Sequence, residues 1–234
     1  MSVVARDATG QAEPGHHEPG HRPFGLDLEK KVLVASERDE AERRQWRDEV
    51  ADLDAQQFVF VDESSTNITL TPRYGWAPHH ERAVGQAPRN YPHNLTLVAA
   101  LTPTGVLAPM TLPGALTGDA FVAYVAQVLV PTLQPGQIVI IDNLSCHKRA
   151  EVAALLRQVG CHLRYLPAYS PDFTPIEQAF SKLKQQLRRA QARTEEALEA
   201  AIAAALSTIS ASDARAWFHH VGYPLDDKPV GQPL

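Results

Sequence analysis

The chain has 234 residues, 44% of them apolar, and its 22 Lys plus Arg against 27 Asp plus Glu give a net charge of −5. That is enough apolar chain for one sizeable core, and no run approaches the roughly 20 consecutive apolar residues of a membrane span, so a soluble, cytoplasmic protein is expected. The acidic balance does not advertise a nucleic-acid binder, yet phosphate contact depends on where charges lie rather than on their sum.

In chain order, residues 1–26 are rich in Gly, Pro and His, offer little to bury, contain no apolar stretch fit for a signal peptide, and read as disordered. Ser36, with Asp39 three residues on, predicts the N-cap of a charged helix reaching about Leu53, so residues 27–55 form a connector region. FVFVD (58–62), NITLT (67–71), NLTLVAALT (94–102) and VLAPMTL (106–112) predict strands, the last two joined by a PTG turn. Beyond them the pattern alternates. TGDAFVAYVAQVLVPTL predicts a helix capped by Thr117, QIVIID (137–142) a buried strand, KRAEVAALLRQVG a helix ended by Gly160, and HLRYLP (162–167) a strand; two or three helices follow from Pro175 to about His220. Strands first and alternation later predict an α/β fold, a mixed sheet flanked by helices. The two cysteines, Cys146 and Cys161, read as free thiols, and the CH pairs at 146–147 and 161–162 lack the spacing of a zinc site.

Two of the predicted strands end in a carboxylate. Asp62 closes FVFVD and Asp142 closes QIVIID, at the strand ends where open sheets gather ligands. Either Asp alone could simply open a turn. Side by side, they would be costly neighbours unless a cation neutralised them. Glu177 stands at the head of a helix, where Thr174, Pro175 and Glu177 spell a capping box, so a structural use of this carboxylate stands beside a chemical one. Ile176, Phe180, Leu183 and Leu187 recur at helical spacing as a buried stripe, leaving Glu177, Ser181, Lys184 and Arg188 on an adjacent face. A carboxylate followed by cations suits a metal site beside a polyanion, with hard oxygen ligands for Mg²⁺ and basic residues for phosphates. A solvated basic face has the same pattern. Five basic residues and no acid lie between Lys182 and Arg193, whereas residues 37–54 mix both signs with an acidic excess.

The blocks FVFVDESSTN, VIIDNLSCHK and YLPAYSPDFTPIEQAFSKLK resemble the three catalytic blocks of DDE-type transposases of bacterial insertion sequences, in the mariner-like superfamily. The interval of 34 residues between Asp142 and Glu177 is a hallmark of that group, and RYGWAP, GDAFVAYV and LVPTL resemble segments between its blocks. The resemblance implies a ribonuclease-H-like mixed five-stranded sheet over residues 56–223, with 224–234 a tail. It implies that Asp62, Asp142 and Glu177 form a catalytic triad that binds Mg²⁺, or Mn²⁺ in its place, and transfers phosphoryl groups without a nucleotide or a covalent protein intermediate. Its implied partner is double-stranded DNA, both transposon ends and a target at a TA step, with Lys184, Arg188, His147 and Arg73 as candidate DNA contacts. A homodimer, or pairing with a full-length transposase, is implied as well.

The sequence departs from the family in places. Thr174 stands where Asn is usual and Ala168 replaces a second proline, neither touching the triad. His147 follows Asp142 closely, as in the family, and could contact phosphate, support the site or simply pack. Glu63 would point away from Asp62 on an extended strand and is not expected to be a ligand. Only 61 residues precede Asp62, whereas relatives carry two helix-turn-helix units that need on the order of a hundred, so a catalytic domain without its sequence reader is expected, with residues 27–35 as the tail of that region. A regulator or inactive relic, and a ribonuclease-H-like nuclease acting on RNA–DNA hybrids, are the rival readings.

Overall fold

The computed structural model describes residues 35–91 and 93–225; the expected disorder of residues 1–26, most of the 27–35 segment and the tail beyond 225 lie outside the described residues. Five strands form one mixed sheet: β1 (Phe58–Thr66), β2 (Leu95–Thr102), β3 (Gly105–Pro113), β4 (Ile138–Ile141) and β5 (His162–Tyr165), in the order β3-β2-β1-β4-β5. The first three are antiparallel neighbours, while β4 runs parallel to both β1 and β5. The early hairpins and the later alternation read from the sequence correspond to these two halves.

Helices cover both faces. The side chains of Phe58, Phe60, Leu97, Leu101, Ile138 and Ile140 point into a core closed by α1 (Glu40–Ala51), α4 (Ile176–Ala190), α5 (Glu195–Leu206) and α6 (Ala211–His220). The alternate residues Val59, Val61, Val98, Ala100, Val139 and Ile141 fill a second core under α2 (Gly118–Tyr124) and α3 (Ala150–Gln158). Burial on both faces explains why FVFV and IVII are unbroken apolar runs instead of alternating ones. On α4 the predicted stripe of Ile176, Phe180, Leu183 and Leu187 is buried, joined by Ala179.

Helix α1 is held onto the same core by charge and aromatic contact. The Arg43 guanidinium donates to both oxygens of Asp172, at 3.0 and 2.6 Å, and Arg43 and Arg47 each lie over the Phe173 ring. The segment that leads into α4 is thereby fixed to α1.

Several local expectations differ from what the chain does. NITLT is not a strand: Asn67 Oδ1 accepts from the Thr69 N–H and hydroxyl, and this side-chain turn replaces ladder pairing. Asp39, not Ser36, caps α1, accepting from the N–H groups of Ala41 and Glu42. The long helix after Thr117 does keep that cap but loses α geometry at Val125, passing through a π turn and then a 3₁₀ turn at Val130–Thr132, where Pro131 has no N–H to continue the ladder. The capping box predicted at Thr174 and Glu177 does not form. Pro175 is the cap position, and no side chain accepts from the first turn of α4.

Candidate active site

Strand register brings the two aspartates together. β1 and β4 are parallel with Val61 opposite Ile141, so Asp62 stands beside Asp142. Only Asp142 follows a strand end: the end expected at Asp62 does not occur, because β1 runs on to Thr66 with Asp62 paired to Ala99 of β2. Both aspartates continue the alternation that faces α4, and Glu177 sits in the first turn of that helix. Asp62, Asp142 and Glu177 line one cavity of about 330 Å³, together with Asn143, Leu144, Tyr169 and Ser170. Since the capping box is absent, the Glu177 carboxylate makes no hydrogen bond or ion pair among the described residues.

The aspartates are held differently. Asp62 Oδ1 accepts from the Glu63 N–H at 2.7 Å. Asp142 Oδ1 accepts from the Leu144 N–H at 3.1 Å and meets His147 Nδ1 at 2.5 Å. Burial, foremost, and then the Glu63, Glu177 and Asp142 carboxylates push the Asp62 carboxyl up to about 8. For His147, burial of the ring pulls the other way, but Asp142 and Glu63 outweigh it and raise its pKa to about 9.

A hard divalent cation suits this donor set: oxygen ligands only, crowded enough that Asp62 holds its proton without one. As the side chains stand, however, no three acidic, His or Cys groups among the described residues are close enough to hold an ion together. The three carboxylates would have to draw closer together to share one.

Beside the cavity runs an open groove of about 1080 Å³, whose walls include Arg73, Tyr74, Ser181, Lys184, Arg188, Arg189 and Trp217. Glu177 lines it too, so this one side chain belongs to both spaces. The basic stretch divides here. Lys182 is engaged with Asp213 at 2.8 Å and the Thr208 carbonyl, while Arg193 donates to the carbonyls of Ile68, Leu70 and Gln86. Lys184, Arg188 and Arg73 have no hydrogen-bonding or ion-pair partner among the described residues and face the groove. His147, grouped with them in the sequence, is 0% exposed and sits behind Asp142, against the Phe121 ring. A surface phosphate does not reach it there.

Comparison with known proteins now bears on the site. A family model described as DDE superfamily endonuclease matches residues 57–199, more than half of the chain and all three carboxylates. The chain belongs to this family. Its fold is similar to that of Mos1 transposase in a pre-cleavage transpososome, at a TM-score of 0.66 and 16% identity over 85% of this chain and 64% of that one. Similar too are the mariner Mos1 paired-end complex with Mg (0.65, 17%, covering 86% and 64%) and the crystal structure of the Mos1 mariner catalytic domain (0.58, 16%, covering 81% and 91%). The DDE-family chain thus spans less than two thirds of the chains in the assembled complexes and nearly all of the isolated catalytic domain. At such identity the likeness establishes the ribonuclease-H-like fold. A sequence search of curated proteins found no match.

Two features of this candidate site were not read from the sequence. Tyr74 and Trp217 bring aromatic surface to the groove. Glu63 does leave the opposite face from Asp62, as expected, but its Oε2 lies 3.3 Å from His147 Nε2 and so reaches the site indirectly. No helix among the described residues is long and apolar enough to cross a membrane.

Proposed function

We propose that the chain is the catalytic part of a transposase, cutting DNA at transposon ends and joining it to a target by phosphoryl transfer that depends on Mg²⁺ or Mn²⁺. The observation that carries this reading is the double placement of Glu177, at the edge of the carboxylate cavity and at the head of the groove lined by Lys184 and Arg188. Such an arrangement sets a backbone phosphate, held by the cations, next to the carboxylates. Asp62 and Asp142 would hold the ions between them, and Glu177 would complete the set. When bound, two divalent ions supply the positive charge that activates a water or a DNA 3′-hydroxyl and stabilises the departing oxygen. Lys184, Arg188 and Arg73 contact phosphates and give affinity without sequence information. The Mos1 pre-cleavage transpososome and the Mos1 paired-end complex with Mg support the substrate and the ion by analogy of fold. Joining at a TA step, pairing of two copies and a place in the cytoplasm belong to the same reading.

The test is nicking of double-stranded DNA by the purified chain in Mg²⁺, in Mn²⁺ and in a chelator, with Asp142→Asn alongside. Metal-dependent cleavage that drops by orders of magnitude in the folded variant is expected. Cleavage in chelator, or at wild-type rate by the variant, overturns the reading. A chain that binds DNA yet cuts with neither ion would be a regulator, and one that cuts only RNA–DNA hybrid a ribonuclease-H-like nuclease.

A further inference from the structure

A buried histidine with a carboxylate at each ring nitrogen stands directly behind the cavity. His147 is 0% exposed and sits with its ring centroid 4.3 Å from that of Phe121 on α2. Its backbone is fixed by a tight turn, since its N–H donates to the Leu144 carbonyl at 3.1 Å and its own carbonyl accepts from Arg149 N–H and the Tyr165 hydroxyl. From this seat Nδ1 meets Asp142 Oδ1 at 2.5 Å, and Nε2 faces Glu63 Oε2 at 3.3 Å. The second contact is near enough for charge attraction but misaligned for a hydrogen bond, leaving both of those atoms buried without one.

The geometry on Asp142 is selective. Both of its partners, His147 Nδ1 and the Leu144 N–H, fall on Oδ1, so Oδ2 is the oxygen left for the cavity that Asp142 lines. Glu63 belongs to the opposite face of β1 from Asp62, and His147 spans from that face around the end of β4 to Asp142. We propose that His147 is a positioning residue: it fixes which Asp142 oxygen is presented to a divalent cation, and Glu63 orients the imidazole from behind. The proposal rests on the reading of Asp142 as a metal ligand given above. Physically it is the role of an outer hydrogen-bond partner, which locks the rotamer of a ligating side chain and so lowers the cost of ordering it when the ion binds.

The test compares amides that replace one ring nitrogen at a time. In His147→Asn the side-chain amide reaches the position of Nδ1 and keeps a donor for Asp142, whereas in His147→Gln it reaches that of Nε2 and keeps only the Glu63 arm. Mn²⁺ binding to the whole chain, followed by calorimetry and by the electron spin resonance of free Mn²⁺ with DNA absent, is the readout, with thermal unfolding as the control for folding. His147→Asn should stay within about threefold of wild type, while His147→Gln and His147→Phe should lose on the order of 10–100-fold in Mn²⁺ affinity, as removal of an outer partner typically does. Glu63→Gln should lose less, about two- to fivefold, because it acts through the ring. Wild-type affinity in folded His147→Gln overturns the proposal, and so does a folded His147→Asn as weak as His147→Gln, since a merely packed histidine would not distinguish the two amides. If instead wild type and Asp142→Asn bind Mn²⁺ equally poorly, the metal-site reading itself has failed, and the positioning role falls with it.

Discussion

Glu177 divides two regions that are built on opposite terms. On one side Asp62 stands within β1 and Asp142 just past β4, and their places are fixed by backbone register and two apolar cores. On the other, Lys184, Arg188 and Arg73 reach into an open groove from long side chains with no hydrogen-bonding or ion-pair partner among the described residues. The backbone beneath the two aspartates is set by the sheet; the groove carries charges on long side chains along α4 and the segment at 73. The first suits geometry-dependent chemistry, and the second suits sequence-independent contact with a polyanion.

Glu177→Gln breaks that comparison most sharply, because the residue belongs to both regions. If its role is in the cavity, metal-dependent nicking should fall by about a hundredfold or more while DNA affinity holds or rises, since a negative charge leaves the groove. Equal loss of cutting and binding, measured by nicking rate and by fluorescence anisotropy, would place the side chain in the groove alone.

Asp62→Asn probes the cavity without DNA. The folded chain keeps a proton on Asp62 up to about pH 8, whereas an unfolded aspartate loses it near pH 4. Between those values the unfolded state binds fewer protons, so wild-type stability in chelator should decline as pH rises through that window. The uncharged variant escapes this term and should be more stable than wild type by up to about 5 kcal/mol at pH 8, with the gap closing toward pH 4, in urea unfolding followed by circular dichroism. A gap that does not depend on pH would mean that the carboxylate crowding is relieved in solution.

The groove is probed by salt. Replacing Lys184 and Arg188 with Gln should weaken binding about equally on all DNA sequences and reduce the salt dependence by up to roughly two units of slope. An unchanged slope would return both residues to ordinary solvated surface.

Arg193→Gln is the counter-case and the smallest effect. Its guanidinium holds the carbonyls of Ile68, Leu70 and Gln86, so its loss should cost about 1–2 kcal/mol of stability in the same unfolding experiment and leave the salt slope alone. A changed slope would mean that Arg193 leaves those carbonyls for phosphate.

Those two cations mark a limit of sequence reading. Lys182 and Arg193 belong to the same basic run as Lys184 and Arg188, and only the approach of Asp213 on α6 and of the backbone at 68–86 separates the structural pair from the groove pair. Long-range contact made the difference, and no local pattern encodes it. The carboxylates were legible for the opposite reason. Each apolar run forms a buried strand that brings its Asp to the same level of the sheet, although only Asp142 follows a strand end while β1 runs on past Asp62 to Thr66, and the helical stripe from Ile176 to Leu187 set the face of Glu177. Short-range side-chain chemistry was the less dependable guide. Thr174 and Glu177 spell a cap that Pro175 and the preceding turn displace, and NITLT has strand composition that one Asn oxygen turns into a bend. His147 could not be placed because its surroundings, Phe121 and Glu63, come from two other elements.

The three carboxylates also differ in what carries them. Asp62 and Asp142 are the fixed jaw of a vice, locked to each other through neighbouring strands. Glu177 is the other jaw, mounted on α4, whose seat is set by the packing of Ile176, Phe180, Leu183 and Leu187 and by the Arg43–Asp172 clamp on the segment just before it. The gap of the vice therefore depends on how α4 is packed. Trimming Leu183 by one methylene, or loosening Arg43, would reset the opening while leaving every residue that lines it unchanged.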